Sequence, residues 1–326
     1  MTIYYVSDLL SDLLGAEETR RLVREQCEII LQDVPPETAG KLRAPLDYIS
    51  GKCMGFPAAW LVTTALGLGP GEMAERLRRQ PGPLFVSLTT SIADDFIDSD
   101  PNIGSAHMML LYLFMFSSLR HPHWFEGELL QSYQRHIYPL VGAFVGDAPF
   151  GQAVPAEKLE RQAEASGQRI GNFFETIVRA LTLDDPLPVR DQLSAIGRAF
   201  GNWCSYLDDV VDVERDIESG DTVTYPLFLL TGRSPALARA VANRDVDACR
   251  PELASEWFVA ALASRHARHL NDICATARRS DFDRLADRLE VVIPHVCADV
   301  LSIRRENAAT VATCGFPAVG KASQSL

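Results

Sequence analysis

Leu193, Ile196, Phe200, Trp203, Leu207 and Val210 recur at steps of three and four residues. That spacing lines one face of a helix and marks an amphipathic helix packed on a core. The same period runs through residues 17–32, 56–67, 84–98, 105–119, 156–183, 252–277 and 283–310. Between these stretches stand Pro35-Pro36, Gly69-Pro70-Gly71, Pro81-Gly82-Pro83, Pro101, Pro186 with Pro188, and Ser219-Gly220, all of which interrupt helices or turn the chain. No segment gives a convincing period of two, so strands are not expected. Neither an internal repeat of solenoid length nor a long linker is present. The expected fold class is all-α: one helical domain over residues 1–314, then a frayed tail over 315–326.

With 326 residues and 47% hydrophobic content, the chain has ample material for a core. Its formal net charge of −12 comes without the basic stripe of a nucleic-acid binder, so nucleic acid is excluded as a partner. Seven cysteines (Cys27, Cys53, Cys204, Cys249, Cys274, Cys297, Cys314) are scattered and free of any CxxC pair. They read as reduced, buried thiols of a cytoplasmic protein, not as a disulfide framework or a zinc site. The opening MTIYYVSDLLSDLLG lacks the basic n-region of a signal peptide. The most apolar run, MMLLYLFMFSSL at 108–119, is well short of the roughly 18–20 residues of a membrane span, and is read as a fully buried core helix.

Against that background the stretch SIADDFIDSD, residues 91–100, is out of place, with four aspartates around Phe96 and Ile97. Asp94 and Asp98 share a helix face, with Asp95 beside them. Pro101 follows closely, which sets the motif in the last turn of its helix. Anions are disfavoured there by the helix dipole, and like charges four apart cost roughly 0.2–0.5 kcal/mol more. A cluster that persists against that cost calls for a counter-ion. Grouped carboxylates suit a hard divalent cation, and Mg²⁺ typically shares one or two of them with substrate phosphates.

One DDxxD alone reads at least as well as a solvated acidic helix end. The second weighs against that reading. GNWCSYLDDVVDVERDIESGD, residues 201–221, repeats the motif as Asp208, Asp209 and Asp212, again near a helix end, with Asp216 a turn further on. Its flanks, Tyr206, Leu207, Val210 and Val211, are again apolar. Small residues lead up to both motifs: Ser87 and Ser91, with Thr90 adjacent, before the first, and Gly197, Gly201 and Ser205 before the second. Such stripes either wall a cavity beneath a metal site or let helices pack closely.

Paired DDxxD motifs more than a hundred residues apart resemble the trans-isoprenyl diphosphate synthases (polyprenyl synthetases) and their class I terpene synthase relatives. GKCMGFPAAWLVTTALG (51–67) is similar to the segment beginning GKxxRP in that family. GQRIGNFFETIVRAL (167–181) falls where the family has its Lys-Thr helix. AIGRAFGNWCSYLDDVVDVERDIESGDTVTYPL (195–227) resembles the second aspartate-rich region together with the Thr- and Pro-containing segment that follows it, here Thr222-Val223-Thr224-Tyr225-Pro226. The resemblance implies a class I isoprenoid synthase helical bundle around a central cavity. It also implies Mg²⁺ as cofactor, with Asp94, Asp95, Asp98, Asp208, Asp209 and Asp212 as metal ligands and catalytic groups. The implied substrate is a linear prenyl diphosphate, whose leaving group the metal neutralises to give an allylic cation.

By the same resemblance, Arg169 stands where the family has the Lys of its Lys-Thr helix and Lys52 where it has the Lys of GKxxR. With Arg215, just beyond the second motif, they are the expected diphosphate-binding cations. The expected cavity lining is Ser87, Thr89, Thr90 and Ser91, with Phe173, Gly201 and Ser205. Phe85, Phe96, Phe174, Trp203 and Tyr206 are further aromatics near it. Such rings either steady cationic intermediates or simply fill the core. A homodimer is compatible with the sequence.

Departures from the family pattern matter as much. Chain-elongating members bind isopentenyl diphosphate through arginines that this sequence lacks. GKxxR has become Gly51-Lys52-Cys53-Met54-Gly55, the Arg pair after the first motif is replaced by SDPNIGSAH, and the Phe-Gln before the second by CSYL. The leading expectation is therefore a terpene synthase that cyclises or rearranges the allylic cation and releases diphosphate. The alternative is a prenyltransferase or polyprenyl diphosphate synthase joining the cation to isopentenyl diphosphate or to a non-diphosphate acceptor. A non-catalytic partner subunit of a prenyl synthase is the third reading, and two complete motifs argue against it. In the resembling synthases, the positions four and five before the first motif help to floor the prenyl-tail pocket. Thr90 and Thr89 are small, which points to geranylgeranyl or longer substrates. His266 and His269, in the basic SRHARH, read as a solvated helix face.

Overall fold

The computed structural model describes residues 17–97 except 33, 52 and 54, then 103–120, 170–220 and 224–291, with a few positions between 127 and 134. For 83, 93–97 and 118–120 it describes the backbone alone. Lys52, Asp98, Arg169, the stretches 156–169 and 292–310 of two expected helices, and the 315–326 tail lie outside the described residues.

All regular elements among the described residues are helices, as the absence of a period of two requires. In chain order they are α1 (Glu17–Cys27, extended by a 3-10 turn at Glu28–Leu31), α2 (Pro36–Gly51), α3 (Gly55–Leu66), α4 (Pro70–Arg79), α5 (Gly82–Ile97) and α6 (Ser105–Arg120). There follow α7 (170–181), α8 (Leu187–Val211), α9 (Val213–Ser219), α10 (Tyr225–Arg233), α11 (Pro235–Ala242), α12 (Val246–Leu253), α13 (Glu256–Arg279) and α14 (283–291).

Several residues that read as breakers turn out to be starts. Pro36, Pro70 and Pro188 all sit in the first turn of a helix, as Pro226 and Pro235 do further along; there the missing N–H forfeits no hydrogen bond and the fixed φ is already helical. At α4 the Gly69 N–H donates to Glu72 Oε2 at 2.8 Å, closing the turn. The short helices α4, α10 and α11 carry too few turns to register a period, and α2 holds Pro45 in its interior. Those are the elements that periodicity misses.

The predicted stripe of α8 is buried throughout, from Leu193 to Val210. Burying a side chain of this size stabilises by roughly 1.5–3 kcal/mol, so the stripe anchors the helix. Buried side chains from α1 to 283–291 form one continuous cluster around it. The helix α3 lies between the two motif-bearing helices, packing on α5 and on α8. Trp60 of α3 stacks on Phe200 of α8 with ring centroids 6.0 Å apart.

The expectation for 108–119 needs correcting. Leu110 and Phe114 are buried, but Met109, Tyr112, Met115 and Phe116 are 50% to 65% exposed. This helix packs on α5 and α2 by one face and presents an apolar outer face. Among the described residues no helix is long and apolar enough to cross a membrane. The five described cysteines, Cys27, Cys53, Cys204, Cys249 and Cys274, are free and buried.

Candidate active site

The second motif stands at the C-terminal end of α8. Asp208 and Asp209 lie in its last turn and Asp212 is its C-cap, with the Asp212 N–H donating to the Asp208 carbonyl at 2.9 Å. All three carboxylates are half-buried. The chain then turns into α9, which ends at Gly220 with φ of 66°, a left-handed cap that glycine adopts without strain. Two consequences follow for charge. Arg215 in α9 lies 3.5 Å from Asp212, so one expected diphosphate-binding cation stands beside the motif. Asp216 brings a fourth carboxylate against the other three.

Burial, and after it the repulsion of Asp209, Asp212 and Asp208, raises the Asp216 carboxyl well above the usual range; the Thr224 hydroxyl offsets this in part. Among the described residues no donor reaches the buried Oδ2 of Asp216. A cluster with an unsatisfied oxygen and mutually opposed charges has the chemistry of a cation site. A divalent ion would relieve such crowding. Among the described residues no group of three or more His, Cys, Asp or Glu side chains is placed to hold a metal ion. An ion held here would take part of its shell from elsewhere, as Mg²⁺ does when it keeps phosphate and water ligands.

The first motif stands at the corresponding end of α5. The backbone of Asp94 and Asp95 lies in the last helical turn, ending at Ile97, and Asp98 falls outside the described residues. In the stripe below, Thr90 Oγ1 donates to the Val86 carbonyl at 2.9 Å and Ser91 Oγ to the Ser87 carbonyl at 3.1 Å. Ser87 is buried and receives the Cys53 thiol at 3.7 Å, while Thr89, Thr90 and Ser91 are partly buried. Hydroxyls turned back onto their own helix leave their methyl and methylene groups to face outward.

On α8 the small residues have a different use. A Cβ on Gly201 would lie 2.8 Å from the Phe174 ring, and one on Gly197 would lie 2.8 Å from Val178 Cγ2. Both glycines let α7 press against α8. At these two positions smallness serves close packing. Phe173 and Ser205 are buried at the same pair of helices. Phe85 packs on Phe114, Phe174 on Phe200, and Trp203 on Phe200, all as ordinary core rings.

His266 corrects the reading of SRHARH as solvated. It is buried at 4% exposure, and its Nδ1 accepts a hydrogen bond from Trp203 Nε1–H at 3.1 Å. Burial lowers its pKa to about 4, with the neighbouring His269 adding to the effect. The signal was present in the sequence. Phe258, Leu262, His266, Leu270 and Cys274 form a stripe at steps of four residues, and the intervening Arg265 and Arg268 obscured it.

No family model matches the sequence, and no curated protein matches it. Among solved structures, the geranylgeranyl pyrophosphate synthase from Lactobacillus brevis ATCC 367 superposes with a TM-score of 0.61 at 15% identity, covering 87% of this chain and 99% of that one. The polyprenyl synthase from Caulobacter crescentus CB15, in complex with calcium and isoprenyl diphosphate, superposes with a TM-score of 0.58 at 14% identity. That match covers 89% of this chain and 98% of the other. This chain has the all-helical fold of those two synthases.

Proposed function

We propose that the chain is an enzyme that acts on an allylic prenyl diphosphate with Mg²⁺, and that it passes the prenyl group to a second substrate. One observation carries the prenyltransfer reading: the fold matches prenyl synthases over nearly the whole of their length. Asp94, Asp95, Asp98, Asp208, Asp209 and Asp212 would hold the metal. When bound, it supplies neutralisation of the charge that develops on the departing diphosphate.

The chain's own residues contribute the rest. Asp208, Asp209 and Asp212 on a half-covered helix end keep the site strongly negative until a cation arrives. Arg215 stands beside Asp212 at the rim, where a diphosphate oxygen could take the guanidinium in its place. Thr90 and Ser91 donate to backbone carbonyls of their own helix, which fixes the orientation of both hydroxyls on α5. The acceptor is either isopentenyl diphosphate or a molecule without a diphosphate.

A second reading, cyclisation of the cation with no acceptor, is favoured by one specific feature. Gly55 occupies the position of the GKxxR arginine, and a Cβ there would lie 2.1 Å from Leu84 Cδ2 and 3.3 Å from Cys53 Sγ. That space is filled by core, which supports loss of the isopentenyl diphosphate pocket. Incubation with geranyl, farnesyl, geranylgeranyl and geranylfarnesyl diphosphates, each with radiolabelled isopentenyl diphosphate, separates the two. Label in a longer diphosphate product upholds prenyl transfer. Hydrocarbon or alcohol formed from the allylic substrate alone, unlabelled, overturns it in favour of cyclisation.

A further inference from the structure

An extensive helix pairing joins α8 to α13. Both helices contribute apolar stripes, with Phe200 and Leu207 buried on one and Phe258, Leu262 and Leu270 on the other. Apolar burial is non-directional, so such a seam resists separation far better than it resists rotation. Two directional bonds cross it. Trp203 Nε1–H donates to His266 Nδ1 at 3.1 Å, and the Tyr206 hydroxyl donates to the Leu262 carbonyl at 2.8 Å. All three side chains are buried, at 0% to 4% exposure.

Their place in the sequence gives these bonds a consequence. Trp203 precedes Asp208 by five residues and Tyr206 precedes it by two, on the same continuous helix. Any turn of α8 that kept apolar contact while swinging the aspartates would break both bonds and strand buried polar groups, at about 1–3 kcal/mol each. An acceptor at Nδ1 also requires the neutral ring with its proton on Nε2. Polar pairs buried among apolar residues are best attested as devices that fix register.

We propose that Trp203, Tyr206 and His266 are positioning residues whose two cross-helix hydrogen bonds fix the rotation of α8 and so aim Asp208, Asp209 and Asp212 at the diphosphate site. The assignment rests on the reading that these aspartates hold the metal. The test uses Mn²⁺ as the probe, with binding measured by electron paramagnetic resonance on the full chain in the presence of inorganic diphosphate. Hydrogen exchange of the amides of residues 205–213 is followed in parallel. Trp203→Phe and His266→Leu are expected to weaken Mn²⁺ binding about tenfold, the low end of the losses that follow when groups orienting metal ligands are removed. Both should also speed exchange over 205–213. His266→Asn, whose side-chain oxygen can accept where Nδ1 does, should restore binding to about the parent value. Trp60→Phe, in the same core but outside the pair, serves as the control for lost packing and should leave Mn²⁺ affinity unchanged.

Tyr206→Phe deletes one hydroxyl and is the gentlest variant, so it keeps the test alive if the others fail to fold. Parent-like affinity in Tyr206→Phe and in whichever of the others folds overturns the proposal, as does equal weakening by Trp60→Phe. If the parent binds no Mn²⁺, or Asp208→Asn binds it unchanged, the metal reading itself fails and the aiming role falls with it. Unchanged exchange in His266→Leu instead strikes at the hydrogen-bonded pair alone.

Discussion

Asp216 shows what the sequence motif costs the protein. Its carboxyl is raised by burial and then by Asp209, Asp212 and Asp208, so four acidic groups are held where they oppose one another. Asp208→Asn removes one charge with almost no change of shape. Turnover should drop by about two orders of magnitude or more, as for other losses of charge stabilisation in a transition state. The melting temperature should hold or rise because repulsion is relieved. Steady-state kinetics and calorimetry on one preparation check both halves. Full activity in the variant would remove the metal from the account.

His266 gives a pH dependence whose sign can be worked out. Its folded pKa of about 4 lies below the ordinary 6.5, so the unfolded chain binds the proton more readily. Its contribution is complete above pH 6.5 and is lost as pH falls through about 4, amounting to about 3 kcal/mol at full effect. Arg265, Arg268, His269 and Asp272 share its helix, while Trp203 and Tyr206 face it from α8. Urea titrations between pH 7 and 4 should show a shallower loss for His266→Asn than for the parent. Equal slopes would mean that the ring does not stay neutral in the fold.

At the scale of elements, two glycines on helices predict opposite outcomes. Gly201→Ala sets a methyl 2.8 Å from Phe174, and overpacking of about 1–3 kcal/mol outweighs the gain in helix propensity. Gly40 is exposed on α2, and a methyl there meets nothing within 4 Å. Gly40→Ala should stabilise by about 0.5–1 kcal/mol. Denaturant midpoints that move in opposite directions bear this out, and a midpoint that rises in Gly201→Ala contradicts the packing of α7 on α8. The stripe of α5 carries a substrate prediction. Thr90→Phe, if Thr90 lines the tail pocket, should shift preference from geranylgeranyl towards shorter diphosphates, while metal dependence stays. An unchanged preference in the folded variant removes α5 from the pocket.

Long helices were legible in the sequence because several turns of apolar spacing fix a face, as in α8. Short ones were not, because a proline such as Pro70 looks alike as a breaker and as a first-turn residue. The site was legible where carboxylates break the apolar pattern. It was opaque at Gly201, where only three-dimensional contact tells close packing from a cavity wall, and at His266, where flanking arginines hide an apolar stripe.

At the scale of the whole molecule, one continuous core holds the helices that carry the two motifs, with α3 packed on both. That architecture is shared with two prenyl synthases over almost their full lengths. The central claim is that the ends of α5 and α8 ionise an allylic prenyl diphosphate with a divalent metal. Inorganic diphosphate released from geranyl, farnesyl, geranylgeranyl and geranylfarnesyl diphosphates, with and without isopentenyl diphosphate, measures this directly. The account predicts release with Mg²⁺, strongest for geranylgeranyl or longer substrates, and its loss on chelation and in Asp208→Asn. Release that persists through both treatments, or none from any substrate with Mg²⁺ or Mn²⁺, would contradict it.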